Sequence, residues 1–430
     1  MFPPKKFLFV SLESESGDLA WKLKREGHEV RVYVKAKDDA DVYDGVLEKV
    51  PSWEEHKDWA DVIVFDDVGF GEVANKLRKA GKLVIGGTPY TDALEMDREF
   101  GQGEMRRLGM LVLPHWDFDS FDACLEFLKA NPGRYVWKPS GNTPSNMKGI
   151  LFLGTEDDGR DIIEVLERNK TTWAKKIKGF QVQKFVSGVE IAVGAFFNGN
   201  DFIYPINVNL EHKKLFPGDL GPYTGEMGTL MYWSAPNTIF NLTLAKLKED
   251  LAKVGYIGYI DINCIANARG VYPLEFTCRF GYPTIQIQME GIQTPMGEFL
   301  YAMASGTSLE LKTKRGFQIG ACLAVPPFPY HDKDQAEVYR DLSILLRKPN
   351  NFDGFHLGDI KFVDNEWRVA GYSGYVLVVS GSGTTVQEAR GQMYSRINNI
   401  ILQNMFYRKD IGLRWEADSD KLQTWGYLYG

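Results

Sequence analysis

Residues 256–281 constrain the fold most, because they have the pattern of two adjoining β-strands. Two runs rich in apolar residues flank the sequence NARG at 267–270, where Asn and Gly tolerate the dihedral angles of a tight turn. An antiparallel hairpin centred near position 268 would place Asp261 opposite Glu275. Side chains alternate between the two faces of a strand, so one face is predicted to be apolar and the other polar. The apolar face would contain Ile260, Ile262, Cys264, Leu274, Phe276 and Cys278. The polar face would contain Asp261, Asn263, Glu275, Thr277 and Arg279.

The polar face of this hairpin indicates a cation site. Two carboxylates about 5 Å apart repel by roughly 3 kcal/mol at an effective dielectric constant near 20, so a fold that keeps them together usually supplies a cation or shares a proton between them. Magnesium fits, because it takes oxygen ligands and prefers one or two carboxylates plus substrate phosphates. The alternative is an exposed face on which the acidic residues have no function.

Length and composition indicate a soluble globular protein of two or three domains. The chain has 430 residues, of which 44% are hydrophobic and 25% charged. Its net charge of -7 argues against a general nucleic-acid surface. The four cysteines, at positions 124, 264, 278 and 322, show no CxxC spacing, and no apolar run approaches the ~20 residues that span a bilayer. We therefore expect a reduced, cytoplasmic protein with no nucleic-acid or membrane partner.

The first 90 residues alternate between strand and helix patterns. Strands are predicted at 7–11, 30–34, 61–65 and 83–86, and helices at 18–26 and 72–80, which together indicate a small parallel sheet of nucleotide-binding type. Glu13 and Glu15 precede the first helix, whose free N–H groups favour an anion. Two glutamates at that position oppose a phosphate. The alternative is that they are solvated loop charges.

The patterns further along the chain predict more helices and strands. Helices are expected at 91–109, 121–129, 241–254, 295–304 and 386–399. Strands are expected at 135–138, 149–153, 317–325, 359–363, 367–370 and 376–380. Lys138 and Lys148 bracket a loop rich in Gly, Ser, Asn and Pro. A mobile loop with such lysines can cover a triphosphate, although both could equally be ordinary surface lysines.

The sequence LEFTCRFGYP at 274–283 resembles the strand that holds nucleotide and metal in ATP-grasp enzymes. It is most similar to the glycinamide ribonucleotide synthetase (phosphoribosylamine–glycine ligase) family, which has LEFNARFGDPE. Glu275 and Arg279 match that motif. Thr277 stands where the family has a metal-binding Asn, and Tyr282 stands where it has an Asp.

A second stretch, EHKKLFPGDLGPYTGEMG at 211–228, carries the resemblance further. The family has an acid-His-Lys sequence followed by GDTGPNTGGMG, and this chain departs from it at Tyr223 and Glu226. The sequences HLGDIKF and FYRKDIG are also similar to the family's C-terminal part. The family's Gly-rich, basic loop is replaced at 12–17, and its substrate turn is replaced by PPFPY at 326–330.

The resemblance implies an α/β and α+β architecture. The implied fold is an ATP-grasp fold with an N-terminal parallel-sheet domain and a small C-terminal α+β domain. The implied segments are an N-terminal domain at 1–90, linking helices at 91–134, an ATP-grasp lid at 135–195, a grasp core at 196–315, a C-terminal domain at 316–415 and a tail at 416–430.

The resemblance also implies the site residues and the cofactors, which are ATP and Mg²⁺, with Mn²⁺ as a possible substitute. ATP would be bound by Lys138, Lys148, Gln183, Lys184, Val186 and Glu190. The catalytic residues would be Glu211, His212, Lys213 and Arg279. The loop facing the acyl phosphate would contain Gly225 and Gly228. The metal ligands would be Asp261, Asn263, Glu275 and Thr277.

The implied activity is that of a ligase, of the kind used in purine biosynthesis. ATP would convert a carboxylate, either glycine or another amino acid, to an acyl phosphate, and an amine would displace phosphate to form an amide. The departures at 12–17 and 326–330 leave open the same chemistry on an amine without a phosphoribosyl group. Thr277 leaves open a non-catalytic ATP-binding regulatory protein. No oligomeric state follows from the sequence.

Overall fold

The computed structural model describes residues 2–140, 150–348 and 351–429. Lys148, predicted to bind ATP phosphates, lies outside the described residues. The chain begins with a parallel sheet, as the sequence predicts, but it has five strands rather than the predicted four, in the order β3-β2-β1-β4-β5. Its elements are β1 (Lys6–Ser11), α1 (Gly17–Arg25), β2 (Glu29–Val34), β3 (Glu48–Lys49), β4 (Val62–Phe65), α2 (Gly71–Lys79) and β5 (Leu83–Ile85).

Two helices follow where the sequence predicts one, namely α3 (Pro89–Met96) and α4 (Arg98–Arg107). The prediction of a continuous helix is wrong because Asp97 has an extended conformation, and its side chain accepts a hydrogen bond from the Phe100 N–H at the start of α4. Such an N-cap satisfies one of the free N–H groups of the new helix. The break lets α3 bring Glu95 to the polar face of the hairpin.

A small unit of four strands, in the order β6-β9-β7-β8, comes next. Its elements are β6 (His115–Phe118), α5 (Phe121–Ala130), β7 (Tyr135–Ser140), β8 (Phe152–Leu153), α6 (Arg160–Trp173) and β9 (Gly179–Lys184). The unit has its own apolar core, in which Trp137 and Phe180 are fully buried.

The central element is an eight-stranded sheet in the order β16-β15-β10-β11-β14-β17-β22-β19. Its strands in this part of the chain are β10 (Val189–Asn198), β11 (Phe202–Glu211), β14 (Gly228–Ser234), β15 (Ile257–Asn267) and β16 (Gly270–Thr277), and the helices beside them are α7 (Thr238–Leu242), α8 (Lys248–Lys253), α9 (Thr284–Gly291) and α10 (Met296–Ser305). Strands β12 (Lys214–Phe216) and β13 (Leu220–Tyr223) form a separate two-stranded sheet. The predicted helix at 241–254 is instead split into α7, a 3₁₀ turn and α8, because Thr243 leaves the helical conformation and its hydroxyl donates to the Ile239 carbonyl.

The rest of the chain completes this sheet and adds a second four-stranded sheet in the order β20-β21-β18-β23. The elements are β17 (Phe317–Ala324), α11 (Lys333–Tyr339), β18 (Ser343–Leu346), β19 (Phe355–Leu357), β20 (Ile360–Val363), β21 (Glu366–Val369), β22 (Tyr375–Gly383), α12 (Val386–Ile397), β23 (Ile400–Ile401) and α13 (Trp415–Thr424). The eight-stranded sheet runs across position 315, where the sequence predicts a domain boundary. The domain boundaries stay predictions.

Separate apolar cores lie on the two faces of the central sheet. Tyr259 enters one core and its neighbour Ile260 enters the other, as strand alternation requires. The first core also contains residues of the N-terminal sheet, so the two sheets are packed together. The second core contains Leu422 of α13, which is completely buried. The C-terminal segment is therefore a packed helix rather than a loose extension.

None of the helices in the described ranges is long and apolar enough to cross a membrane. All four cysteines are free and buried.

Candidate functional site

The hairpin of β15 and β16 keeps the predicted polar face but has a different register. Asp261 faces Thr277, and Asn263 faces Glu275, so the predicted pairing of Asp261 with Glu275 is wrong. The turn contains two residues between the paired Asn267 and Gly270, and a bulge between Asn263 and Cys264 displaces the strands further. The total displacement is two residues, so the five polar side chains still share one face. The prediction for the apolar face is wrong at Leu274, which is the extra residue at the bulge and is not part of the core that contains Phe276 and Cys278.

Lys213 lies at the centre of three carboxylates at the end of β11. Its Nζ atom is 3.0 Å from Glu190 Oε1, 3.4 Å from Glu211 Oε2 and 3.6 Å from Glu275 Oε1. Three strands supply these acids: β10 carries Glu190, β11 carries Glu211 and β16 carries Glu275. The structure therefore brings three of the predicted site residues within ion-pair distance of a fourth, Lys213.

The charges in this cluster follow from burial and from Lys213. Burial opposes the charge on Lys213, but the carboxylates, with Glu211 foremost, outweigh it and hold the pKa of Lys213 well above its usual value. The nearby Lys213 ammonium lowers the pKa of Glu275. Burial raises the pKa of Glu211, which is the least exposed of the three acids. Lys213 is thus a fixed positive charge in the cleft.

A second lysine approaches the cleft from the four-stranded unit. Lys138 on β7 donates a hydrogen bond of 2.9 Å to the Gln183 side-chain oxygen on β9. Burial, together with the nearby Arg98 guanidinium, lowers the pKa of Lys138 to about 8. Gln183 is itself buried. These two residues, both predicted to bind ATP, are in direct contact.

The segment after β9 leaves the backbone N–H of Val186 available as a donor. The Lys184 N–H donates to the Pro114 carbonyl at 2.8 Å, and the Phe185 N–H donates to the Arg134 carbonyl at 3.0 Å. Within the described ranges, no hydrogen bond uses the N–H of Val186. The Lys184 ammonium lies 4.6 Å from the centre of the Tyr135 ring. This segment could therefore present one N–H to an adenine edge, as predicted for Val186.

The buried oxygens of the hairpin fit a hard cation. Asp261 Oδ1 and Asn263 Oδ1 are buried and have no hydrogen-bond partner, and the Asn263 amide donates to Glu211 at 3.5 Å. Burial, and to a lesser extent the charge of Glu211, raises the pKa of Asp261 well above its usual range. Within the described residues there is no group of three or more acidic, His or Cys side chains that could hold a metal ion by itself. Magnesium does not require one, because substrate phosphates supply the remaining ligands.

Arg279 is held by acids that the sequence analysis missed. Its Nε atom is 3.1 Å from Asp67 Oδ1 and 3.2 Å from Glu95 Oε1, and Glu95 also accepts a 2.6 Å hydrogen bond from the Cys278 N–H. Burial opposes the charge of Arg279, but acids led by Glu15 hold its pKa above the usual value. Neither acid lies in a recognisable motif, because the contacts join segments far apart in the chain.

His212 faces away from Lys213. Its Nε2 atom accepts a 3.1 Å hydrogen bond from the Gly412 N–H, and burial, with nearby Arg414 and Arg408, lowers the pKa of His212 to about 3. The imidazole is therefore neutral. Of the two adjacent residues predicted to be catalytic, only Lys213 therefore supplies a positive charge.

The two glycines predicted to face the acyl phosphate lie in different surroundings. Gly225 borders open space, and Thr224 fixes its loop by donating twice to the Lys213 carbonyl. Gly228 begins β14 with a φ of +151°, and a side chain there would collide with the Gly320 carbonyl on β17. Gly228 is thus required by sheet packing, whereas Gly225 is accessible.

Two cavities meet at the loop that contains Gly225. The first, of about 340 Å³, lies over the hairpin and is lined by residues that include Lys213, Glu275 and Arg279. The second, of about 470 Å³, lies between the N-terminal sheet and the C-terminal part of the chain. Both are lined by Gly225, Glu226 and Tyr282. The sequence indicated Glu226 and Tyr282 only as departures from a family pattern.

In sequence, the chain is similar to phosphoribosylamine–glycine ligases. Residues 97–285 match the family described as "Phosphoribosylglycinamide synthetase, ATP-grasp (A) domain". A phosphoribosylamine–glycine ligase of Streptococcus pneumoniae is 24% identical over 428 residues, covering 95% of this chain and 99% of that protein. One from Neisseria meningitidis serogroup B is also 24% identical, covering 94% of this chain and 98% of that protein.

Solved structures show the same fold. The crystal structure of phosphoribosylamine–glycine ligase from Thermotoga maritima matches with a TM-score of 0.70 and 21% identity, covering 95% of this chain and 100% of that chain. A biotin carboxylase from Campylobacter jejuni, in a beta-gamma-ATP complex, matches with a TM-score of 0.61 and 13% identity, covering 99% of this chain and 98% of that chain. The predicted ATP-grasp fold of α/β and α+β class is confirmed.

Proposed function

We propose that the chain is a divergent member of the phosphoribosylglycinamide synthetase family of ATP-grasp proteins and that it is an ATP-dependent carboxylate–amine ligase. The names of its relatives specify glycine and phosphoribosylamine, which are accordingly the first carboxylate and amine to test.

The observation that supports this proposal is the pair of cavities with a shared wall. The cavity over the hairpin carries the fixed cations Lys213 and Arg279, which suit phosphates and a carboxylate. The other cavity is separate enough to bind an amine, and the two meet at Gly225 and Glu226. An activated acid formed on one side of this wall would be within reach of an amine on the other side.

The reaction would proceed in two displacements. A carboxylate oxygen of the acid attacks the γ-phosphorus of ATP, the bond to the β–γ bridging oxygen breaks, and ADP leaves with the electron pair. The amine nitrogen then attacks the acyl carbon, the C–O bond to phosphate breaks, and phosphate leaves with the electron pair. The amine loses one proton in this second step.

The protein would contribute position and charge rather than a covalent intermediate. Lys213 and Lys138 would neutralise the phosphates, and Arg279 would stabilise the group in transfer. Glu190 would accept hydrogen bonds from the ribose hydroxyls, and the free Val186 N–H would meet the adenine edge. Lys148 is proposed for the same phosphates on the resemblance alone.

The metal would be held by oxygens of the hairpin. Asp261, Asn263 and Glu275 supply oxygen ligands of the type that Mg²⁺ or Mn²⁺ takes, and Thr277 lies opposite Asp261. When bound, the metal would supply charge neutralisation to the transferring phosphate. The positive charge of the metal would also offset the negative charge of the carboxylates around Lys213.

Capture of the acyl phosphate tests the proposal without knowledge of the natural amine. Hydroxylamine converts an acyl phosphate to a hydroxamate, so the protein is incubated with ATP, Mg²⁺, hydroxylamine and each common amino acid in turn, beginning with glycine. We expect hydroxamate and ADP in equal amounts with at least one acid. Lys213→Ala should abolish both products, whereas Glu48→Gln, an exposed carboxylate in the N-terminal sheet, should not change them.

A nucleotide-binding protein without ligase activity would behave differently. Calorimetry would show ATP binding, but no acid would give hydroxamate or acid-dependent ADP. That result would contradict the proposal and support the regulatory alternative.

A further inference from the structure

The cavity proposed for the amine is rich in acidic side chains. The inference drawn from this feature rests on the proposed function and specifies its amine substrate. The cavity lining includes the six carboxylates Glu13, Glu15, Asp38, Asp39, Glu226 and Asp359. Within the described ranges, the only basic side chains of the lining are those of Lys37 and His331. Among the described residues, Asp38 alone of the six acids has an ion-pair partner, Lys333, at 2.7 Å. The cavity lining therefore has a large excess of acidic over basic side chains.

The helix end beside this cavity is already occupied by a carboxylate of the protein. Asp66 accepts a 3.2 Å hydrogen bond from the Ser16 N–H, immediately before α1 begins. The Tyr43 ring packs so closely on Gly17 that a side chain there would collide with it, and the Tyr43 hydroxyl donates to the Ser14 carbonyl. A phosphate at this position would have to displace Asp66 and would meet Glu15 and Glu13.

Two buried acceptors in the cavity wall lack donors. Glu226 is 7% exposed, and its Oε1 atom has no hydrogen-bond partner. Gln286 is 1% exposed, and its Oε1 atom is likewise unpaired. Buried acceptors without partners are costly, so a wall of this kind is complementary to a ligand that brings N–H donors. Glu226 also borders the cavity over the hairpin, where the amine must attack.

Aromatic rings form much of the remaining wall. Tyr43, Tyr282, Phe328, Tyr372 and Tyr375 all line the cavity, and the rings of Phe328 and Tyr375 lie 6.1 Å apart. The faces of such rings attract ammonium groups, most strongly where water is excluded. Carboxylates combined with aromatic faces are a recognition surface for a cation.

We infer that the acceptor is an amine without phosphate that carries a second positive charge, as a diamine does. One ammonium is held by the acids near Glu15, Asp39 and Asp359, while the reacting nitrogen lies at Glu226, on the wall shared with the cavity over the hairpin. A phosphorylated amine is disfavoured by the same carboxylates and by Asp66.

Three amines of similar size test the inference. The acid with the highest hydroxamate rate is supplied with saturating ATP and with 1,4-diaminobutane, n-butylamine or 2-aminoethyl phosphate, and 5-phosphoribosylamine is added as a fourth. We expect kcat/KM for 1,4-diaminobutane to exceed that for n-butylamine by at least about tenfold, with no amide from either phosphorylated amine. Greater use of a phosphorylated amine, no preference for the diamine, or hydroxamate without any diamine amide would each overturn the inference.

A double variant links the preference to the cavity. Glu15→Gln with Asp39→Asn should lower the ratio of diamine amide to hydroxamate by at least about tenfold. Its fold should survive, because the change removes like charges that repel one another. Asp58→Asn, which removes an exposed carboxylate from the same sheet unit, should leave the ratio unchanged. An unchanged ratio in the double variant would contradict the inference.

Direct binding separates this inference from the proposed function. Calorimetry with 1,4-diaminobutane and 2-aminoethyl phosphate requires no catalysis. If no acid gives hydroxamate, the ligase proposal fails, but tighter binding of the diamine, weakened in the double variant, still supports the cationic ligand. Equal or tighter binding of 2-aminoethyl phosphate overturns it whatever the catalytic result.

Discussion

Glu275 is the most exposed of the three carboxylates around Lys213, with 57% of its side chain accessible. A ligand for metal and phosphate must be accessible, whereas a carboxylate that only stabilises the fold need not be. We expect Glu275→Gln to lower Mg²⁺-dependent ADP formation on the order of 100-fold, because it removes charge from the site of phosphate transfer. Initial rates of ADP release at saturating ATP measure this.

Thermal unfolding provides the control for this variant. The melting temperature of Glu275→Gln should match that of Glu48→Gln, whose side chain is 59% exposed and also ion-paired. If Glu275→Gln instead melts well below the control while losing activity, the residue stabilises the fold and its assignment to the site is wrong.

We expect Glu226 to lower the stability of the protein although amide formation requires it. Burial, strengthened by the charge of Glu211, raises its pKa well above the usual value of 4.5. The folded protein therefore retains a proton that the unfolded chain releases, so Glu226 reduces stability progressively as pH rises above about 5. We expect Glu226→Gln to melt at a higher temperature than the unchanged protein, by a margin that grows between about pH 5 and pH 8, while amide formation falls.

Scanning calorimetry across this pH range checks the stability of the Glu226 variant. Groups that face Glu226, notably Lys213 and Asp261, remain in the variant, so the difference between the two proteins isolates residue 226. A stability margin that shrinks as pH rises would show that Glu226 is charged and compensated in the empty protein. The proposal that Glu226 accepts a hydrogen bond from an N–H group of the ligand would then fail.

At the scale of elements, the hairpin shows what the sequence predicts well. Alternation along β15 and β16 correctly predicted which side chains share the polar face, because the direction of each side chain is a local property of the strand. The pairing across the hairpin was wrong, because it depends on a bulge after Asn263 that no apolar pattern indicates. The helix at 91–109 was similarly divided by one capping residue, Asp97.

The C-terminal helix α13 is an element whose importance the sequence did not indicate. Its Leu422 is fully buried in the core behind the hairpin, and beyond the helix the Tyr427 hydroxyl donates a 2.8 Å hydrogen bond to the Asn267 carbonyl at the hairpin turn. The helix therefore supports the back of the sheet that carries the site. Composition does not indicate this, because the segment is short and contains few apolar residues.

We expect Leu422→Ala to destabilise the protein by about 2 to 5 kcal/mol, since it leaves a cavity in a packed core. Leu413→Ala is the matched control, because Leu413 is 63% exposed and its loss should cost about 0.5 kcal/mol or less. Urea denaturation of both variants gives the comparison. A small effect at Leu422 would mean that α13 is not part of the core.

At the scale of the whole molecule, the cavity proposed for the amine is assembled from distant parts of the chain. Glu15 follows the first strand, Asp39 lies in the loop after the second, and Asp359 comes more than 300 residues later. The family motifs contain most of the residues that line the cavity over the hairpin, because these residues are concentrated in two stretches of the chain. The acidic cavity could not be predicted in this way, since its charge becomes evident only when these segments meet.

When no cation is bound, the pKa values of the acids in this cavity are raised, chiefly by burial. Burial foremost raises the pKa of Glu15 to about 8, of Asp39 to about 7 and of Asp359 to about 8. Other charges modify this effect: the Arg279 guanidinium opposes it at Glu15, whereas Glu13 reinforces it at both Glu15 and Asp39. At neutral pH the empty cavity therefore holds protons on part of its carboxylates.

A bound diamine would replace those protons, which gives a pH dependence of definite sign. Carboxylates must lose their protons to hold ammonium groups, and an alkyl ammonium, with a pKa of about 10, stays charged over the same range. The affinity for 1,4-diaminobutane should therefore increase from about pH 6 to about pH 8, with release of protons on binding. Calorimetry at several pH values, in two buffers of different ionisation enthalpy, measures both quantities.

The double variant Glu15→Gln with Asp39→Asn should bind more weakly and release fewer protons, and Asp58→Asn should match the unchanged protein. Proton uptake, or affinity that decreases as pH rises, would mean that these carboxylates do not contact the amine.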